Sequence, residues 1–427
     1  ARPPPTRIRS YSMSIHRSSH YRALEALAGA LIARGHQVTF IHQSDAAALL
    51  QDRAVNFHAV GAQSHPPGSL ARSLKLAARP GGPLGLRRLI ADLARTTDML
   101  CRELPTVLTK LQVDALLCDQ MEAAGGLVAE ALGLRYVSVA CALPINREQG
   151  IPLPVMPMDY ADDERARTIY RGSESVYDWM MGAHRRTIAR HARSFGLPPR
   201  EGLHECLSPY AQISQITAGF DLPRRQLPAN FHAVGPLRPL AATTEQRLEL
   251  AIDPARPFVF ASLGTLLGQR YSLFRRIARA AKALDAQLLI AHCGGLAPPE
   301  AQALIKAGAT WVTDFAPQEA VLERADAVVT HAGLNTVMDA LSTRTPMLAL
   351  PLAFDQPGVA ARIVHAGVGL RAWPMVASSR ELQTKLKQLL TSASFRPPLE
   401  RLSLEVNNAG GSRAAAEIVE QATGCSR

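Results

Sequence analysis

Residues 315–358, FAPQEAVLERADAVVTHAGLNTVMDALSTRTPMLALPLAFDQPG, constrain the fold of this chain more than any other stretch. Residues 327–330 (AVVT) are a short apolar strand, and residues 331–336 (HAGLNT) are a tight polar turn after it. Residues 337–342 then begin a helix, with Asn335 or Thr336 suited to cap it. A strand that turns into a helix start presents backbone N–H groups and a positive dipole end, which together seat phosphate. A second apolar strand spans residues 346–352, and its loop ends in Asp355-Gln356. In a parallel sheet both loops lie at the carboxyl ends of strands, where ligands bind.

At 427 residues the chain is long enough for two domains with filled cores. No apolar run approaches the roughly 18 to 20 residues needed to span a bilayer. The N-terminus has no apolar core of a secretory signal, so export is not expected. The six cysteines are scattered, without a CxxC pair or histidines at metal spacing, and read as reduced thiols in a cytoplasmic protein with no metal site. The net charge of +11 raises nucleic-acid binding, but aromatic residues are only 5% and interleave with no basic stripe, so no nucleic acid is expected. An anionic membrane surface is the alternative partner for that charge.

Residues 1–19, ARPPPTRIRSYSMSIHRSS, are anomalous: an α/β domain should open on an apolar strand, and Arg, Pro and Ser stand there instead. A shifted reading frame, a cloning artefact and a divergent strand would all read this way. From His20 the pattern is regular. Leu24, Leu27, Ala28, Leu31 and Ile32 fall at helical spacing before Gly35, and a strand follows at residues 36–41. Residues 86–110 form a long amphipathic helix, residues 113–119 a buried strand ending in Asp119, and residues 136–142 another strand. Residues 144–199 are an insertion that shapes a pocket. This alternation predicts an α/β fold of two Rossmann-like, doubly wound domains facing across a cleft. The first spans 1–237 and the second 258–427; residues 238–257, rich in Pro, Ala and Thr, join them, and the last helix (410–423) is expected to return to the first domain.

The ordered set Pro317-Gln318, His331, Gly333, Asn335-Thr336, Asp339, Pro346 and Asp355-Gln356 resembles the signature of the UDP-sugar-dependent glycosyltransferases. The resemblance implies the GT-B architecture, with the second domain holding a UDP-sugar. Ser262, Gly264 and Thr265 would then sit beside the diphosphate, Phe315 would stack on the uracil and Gln318 would contact the nucleoside. Asp339, where relatives more often carry Glu, would meet the ribose hydroxyls. His331, Gly333, Asn335 and Thr336 would form the diphosphate seat, with no metal, and Asp355 and Gln356 would hold the sugar. Ala332 departs from the glycine usual there. His20 would be the base for the acceptor hydroxyl and Asp119 its orienting acid; Asp119 reads equally as a cap for the segment beginning at Met121. One displacement without a protein nucleophile inverts an α-linked donor into a β-glycoside.

Further stretches, among them RTTDMLCRELP (95–105), VSVACALP (137–144) and FHAVGPL (231–237), are similar to the branch of that family that glucosylates zeaxanthin in carotenoid-producing bacteria. This implies UDP-glucose as co-substrate, no cofactor, and a long apolar diol as acceptor. It also implies a cytoplasmic enzyme, peripheral on the inner face of the cell membrane. Residues 179–195, WMMGAHRRTIARHARSF, read either as a basic interfacial helix that docks on anionic lipid or, equally, as an ordinary surface helix with a buried face. Another apolar acceptor (a macrolide aglycone or a sterol), a UDP-sugar epimerase of the same architecture, and an inactive UDP-glucose binder remain as alternatives.

Overall fold

The computed structural model describes residues 9–13, 18–78, 82–240 and 249–425, without the side chains of residues 9–13, 18 and 19. Residues 1–8 and 14–17 of the anomalous segment, and 241–248 of the expected linker, lie outside the described residues.

Among the described residues, thirteen strands form two sheets, and every recorded strand pair in both is parallel. The first contains β1 (Arg9–Met13), β2 (Gln37–Gln43), β3 (Asn56–Val60), β4 (Ala115–Asp119), β5 (Arg135–Ala140), β6 (Ala211–Ser214) and β7 (Phe231–Ala233), in the order β3-β2-β1-β4-β5-β6-β7. The second contains β8 (Phe258–Ser262), β9 (Gln287–Ala291), β10 (Trp311–Thr313), β11 (Ala327–Thr330), β12 (Met347–Ala349) and β13 (Gly369–Arg371), in the order β10-β9-β8-β11-β12-β13. Helices cover both faces, so the central strands β4, β8, β9 and β11 are buried along their whole length and mostly apolar, with polar residues only at their ends.

Each sheet is doubly wound and reverses direction once. The reversal lies between β1 and β4 in the first sheet and between β8 and β11 in the second. A crevice opens at such switch points, outside the carboxyl ends of the strands. The polar segment that offers no apolar strand in the sequence nevertheless supplies β1. Its backbone pairs with β2 from Arg9–Gln37 onward and with β4 from Ser10–Ala115 onward.

Three packing features bear on function. The last helix, Gly411–Thr423, lies on the first sheet: Ala415, Ala416 and Val419 join the core of Leu24, Leu27 and Val139. Glu420 fixes it there through Arg34 (2.7 Å) and His36 (2.8 Å). The two halves are also pinned near the second switch point. Gly358 N–H donates to Pro154 C=O at 2.9 Å, and Leu143 N–H donates to Asp355 at 3.1 Å.

The third feature favours the second of the two readings of residues 179–195, a surface helix with a buried face. Residues 179–195 divide between two helices, Glu164–Met180 and Gly182–Ser194. The apolar face of the second is already used, because Ile188 and Ala192 pack with Leu100 and Leu104 of the long helix Pro83–Lys110, and His191 pairs with Asp98. A face occupied by the core cannot enter lipid. The exposed apolar residues are on the first helix instead, at Ile169, Val176 and Trp179.

Candidate active site

At the first switch point, His20 stands in the first turn of the helix Ser18–Ala33, and Asp119 is the last residue of β4. Their side chains meet: His20 Nδ1 lies 2.6 Å from Asp119 Oδ2, with both groups buried. An ionised carboxylate only accepts, so Nδ1 carries a proton, and in the neutral ring Nε2 is the nitrogen with the free lone pair. The other carboxylate oxygen accepts the Met121 N–H at 3.0 Å, which fixes the acid at both ends. Asp119 therefore closes this turn, while the cap of the helix Ala123–Ala131 is Glu122, which accepts the Ala124 N–H. Burial, with Asp119 nearby, pushes the Glu122 carboxyl up to about 7.

Cys141, just past β5, escaped the sequence reading. Its thiol and the ligand atoms of His20 and Asp119 all lie within 4.8 Å of one another. Positions 20, 119 and 141 show no metal spacing along the chain; only the sheet order brings them together. Burial pushes the Cys141 thiol far up.

At the second switch point, the loop after β8 meets the loop after β11. Gly264 adopts φ +75°, and a Cβ there would fall 2.6 Å from His331 Cε1. A Cβ on Gly333 would fall 2.4 Å from His331 Nε2. The imidazole thus occupies the space that two missing side chains leave. Ala332 between them is fully buried at φ +63°, the left-handed conformation that glycine adopts without strain. The helix begins earlier than its sequence suggests, at Leu334 with Gly333 as its cap, and its first internal bond is Val337 N–H to Gly333 C=O. Asn335 and Thr336 consequently lie inside the first turn and do not cap it. That places the positive helix end beside His331. Burial pushes the thiol of Cys293, which sequence reasoning did not single out, upward, while Ser262, Thr265 and the charge of Arg22 on the His20 helix pull it down.

Gln318, Thr336 and Asp339 form one network. Thr336 Oγ1 donates to Gln318 Oε1 (3.1 Å), and Gln318 Nε2 donates to Asp339 Oδ2 (2.6 Å). Arg238, just past β7, completes it by donating to Asp339 Oδ1 through Nη2 at 2.6 Å and Nε at 3.2 Å. Phe315 presents its ring to solvent at 67% exposure. Asp355 precedes the helix Gln356–His365, and Gln356 Oε1 accepts the N–H groups of Leu352 and Ala353, so its amide nitrogen is what remains for a ligand. The insertion after β5 does form a cavity of about 260 Å³, but Glu148, Asp162, Glu164, Arg167 and Arg225 make it polar.

Comparison with known proteins bears on family and fold. The family model described as UDP-glucoronosyl and UDP-glucosyl transferase matches residues 201–406. The chain is 51% identical to a zeaxanthin glucosyltransferase of Pantoea ananas over 94% of this chain and 93% of that one. It is 46% identical to a zeaxanthin glucosyltransferase of Pseudescherichia vulneris over 95% of both. The crystal structure of the glycotransferase of kitacinnamycin superposes with a TM-score of 0.75 at 20% identity, over 98% of this chain and all of that one, and shares the two-domain GT-B fold.

Proposed function

From the premise that this chain belongs to the UDP-glucoronosyl and UDP-glucosyl transferase family, we propose that it transfers glucose from UDP-glucose to zeaxanthin. Each hydroxyl of the diol is a substrate, so the monoglucoside forms first and the β-diglucoside second. The relatives that match nearly end to end are named as zeaxanthin glucosyltransferases, which supports the acceptor and the sugar.

The buried His20–Asp119 pair carries the chemical reading. Nε2 of His20 takes the proton of the acceptor hydroxyl while the oxygen attacks the anomeric carbon, and Asp119 stabilises the imidazolium that results. The bond from that carbon to the diphosphate breaks on the opposite face, giving the β-linkage. Negative charge grows on the leaving UDP, where the helix start at 334–336, His331 and the 262–265 turn stabilise it without a metal. Asp355 and the Gln356 amide address the glucose hydroxyls, and Phe315 stacks on the uracil.

Zeaxanthin dissolves in membranes, and the reaction therefore takes place at a membrane surface. No described helix is long and apolar enough to cross one. Contact comes from the exposed stripe Ile169, Val176 and Trp179, with exposed Arg165 one turn before Ile169 on the same face, against anionic headgroups. Equal pelleting with neutral and anionic vesicles would overturn that part.

The deciding experiment incubates the protein with UDP-glucose and detergent-solubilised zeaxanthin and weighs the pigment by mass spectrometry. Products one and two glucose units heavier are expected. UDP-glucose binding without any heavier pigment would reject this acceptor.

A further inference from the structure

Arg238 opens the segment that joins the two domains, and its side chain ends on an acid of the second. Its backbone sits where the halves join: its C=O accepts the Ser412 hydroxyl at 2.7 Å, and Gly411 N–H donates to Val234 C=O at 2.7 Å. This crossing is tight, since a Cβ on Gly235 would fall 2.5 Å from Cβ of Ala409. The guanidinium reaches Asp339 twice and donates also to Asn335 C=O (3.2 Å) and Leu237 C=O (3.1 Å). Asn335 is in the helix turn that faces the diphosphate in the reading above.

An aspartate is one methylene shorter than glutamate, so its carboxylate must be aimed to meet a ligand. A carboxylate offers about four acceptor directions. Arg238 takes those of Oδ1, and Gln318 takes one of Oδ2, leaving one for a hydroxyl donor. The charge of Arg238 also offsets the repulsion between Asp339 and the neighbouring Glu319, whose carboxyl burial and Asp339 together push upward.

We propose that Arg238 is a positioning residue of the nucleotide site. It holds Asp339 in the orientation that receives one ribose hydroxyl, and it ties that orientation to the junction between the two halves. This rests on the reading of Asp339 as the ribose acid.

The test is calorimetric titration with UDP alone, on the full chain, for wild type, Arg238→Ala, Arg238→Lys, Asp339→Asn and the Arg238→Ala/Asp339→Asn pair, with melting temperatures alongside. Loss of a charge-assisted hydrogen bond weakens binding by about tenfold to a hundredfold, and that is the expected effect of Arg238→Ala. Lysine, a point donor without the planar fork, restores part of it. The double variant binds no worse than Asp339→Asn, because both changes break one interaction. KM for UDP-glucose rises by the same factor, with a smaller change in kcat. Should Arg238→Ala fail to fold, weakened UDP binding by Arg238→Lys at an unchanged melting temperature carries the same conclusion. UDP affinity equal to or tighter than wild type in Arg238→Ala overturns the proposal, the tighter case marking a side chain that the nucleotide must displace. Failure of wild type to bind UDP rejects the donor-site reading itself, and this inference with it.

Discussion

Gly264 and His331 fit as surface and mould: a Cβ on the glycine would fall 2.6 Å from Cε1 of the imidazole, well inside contact distance. The glycine also holds φ +75°, where an L side chain costs about 1–2 kcal/mol. Gly264→Ala therefore pays twice, once in strain and once by moving the ring that faces the diphosphate. Transfer from UDP-glucose should fall at least about tenfold, equivalent to 1.4 kcal/mol of lost stabilisation. The check is KM and kcat for the donor; unchanged values would mean that the ring has room to move without consequence.

Asp119→Asn keeps an oxygen to accept the Met121 N–H, so the turn at the end of β4 survives. What it loses is the charge opposite His20 Nδ1 and the preference for the tautomer that leaves Nε2 free to accept. Comparable exchanges in His–Asp pairs cost up to about 10⁴ in kcat. A fall of at least about a hundredfold in kcat, with UDP affinity within twofold of wild type, is expected from single-turnover assays and titration. A variant as fast as wild type would reduce Asp119 to the turn-closing residue that its sequence position also suggested.

The second domain was the legible half, and local chemistry explains why. Strand, turn, helix start and strand follow one another within residues 315–358, so residues that touch in space are also ordered in the chain. Gln318, Thr336 and Asp339 are neighbours in the fold for that reason. Arg238 was invisible because its partner lies 101 residues away, and Cys141 because only the β1-β4-β5 order brings it to His20. The start of the helix was misread by three residues, since Asn335 and Thr336 are favoured caps and Gly333 did that work with its backbone alone. Ala332 in a glycine position is tolerable on magnitudes: strain of roughly 1–2 kcal/mol is offset by a buried methyl of about 0.8 and by the lower chain entropy of alanine, about 0.5–1. The strand β1 was missed because a central parallel strand is held by backbone bonds to both neighbours, which a reading of side-chain pattern does not register.

Glu122 sets a pH dependence of stability. Its folded value of about 7 lies above the ordinary 4.5, because burial, aided by the charge of Asp119, disfavours the anion. The stability it contributes is complete below pH 4.5 and is lost as pH rises through 7, a change of roughly 3 kcal/mol. His184, which shares the Thr97 hydroxyl with Glu122, is pushed down to about 4 by burial and acts oppositely, losing stability as pH falls below 6.5. The two slopes oppose one another in wild type, so the informative quantity is a difference. Glu122→Gln keeps an acceptor for Thr97 and Ala124, and its melting temperature minus that of wild type should grow from pH 5 to about pH 7 and level off by pH 8. A constant difference would mean that Glu122 does not titrate in this window.

Asp221 and Arg362 join the two halves beneath the sugar-side helix, and removing either should have unequal effects. Arg362, on the helix Gln356–His365, is wholly buried and donates Nε to Asp221 Oδ1 at 2.8 Å, with Nη2 in ion-pair contact with the same oxygen at 2.7 Å. Asp221 also accepts from Arg224 at 2.9 Å. Burial opposes the Asp221 charge, but the two guanidinium groups outweigh it and hold the carboxyl below its ordinary range. Asp221→Ala leaves two arginines without their anion, one of them in the core, and breaking a buried pair in this way costs about 3–5 kcal/mol. Arg362→Met fills the same volume with an apolar chain and leaves Asp221 paired with Arg224, so its cost should be well under half as large. Because that helix opens with Gln356, directly after Asp355, loosening it should also raise KM for UDP-glucose in Asp221→Ala more than in Arg362→Met. Thermal melts and donor kinetics on the two variants decide it: equal losses would place the stability in the packing of Arg362 and not in the compensation of its charge.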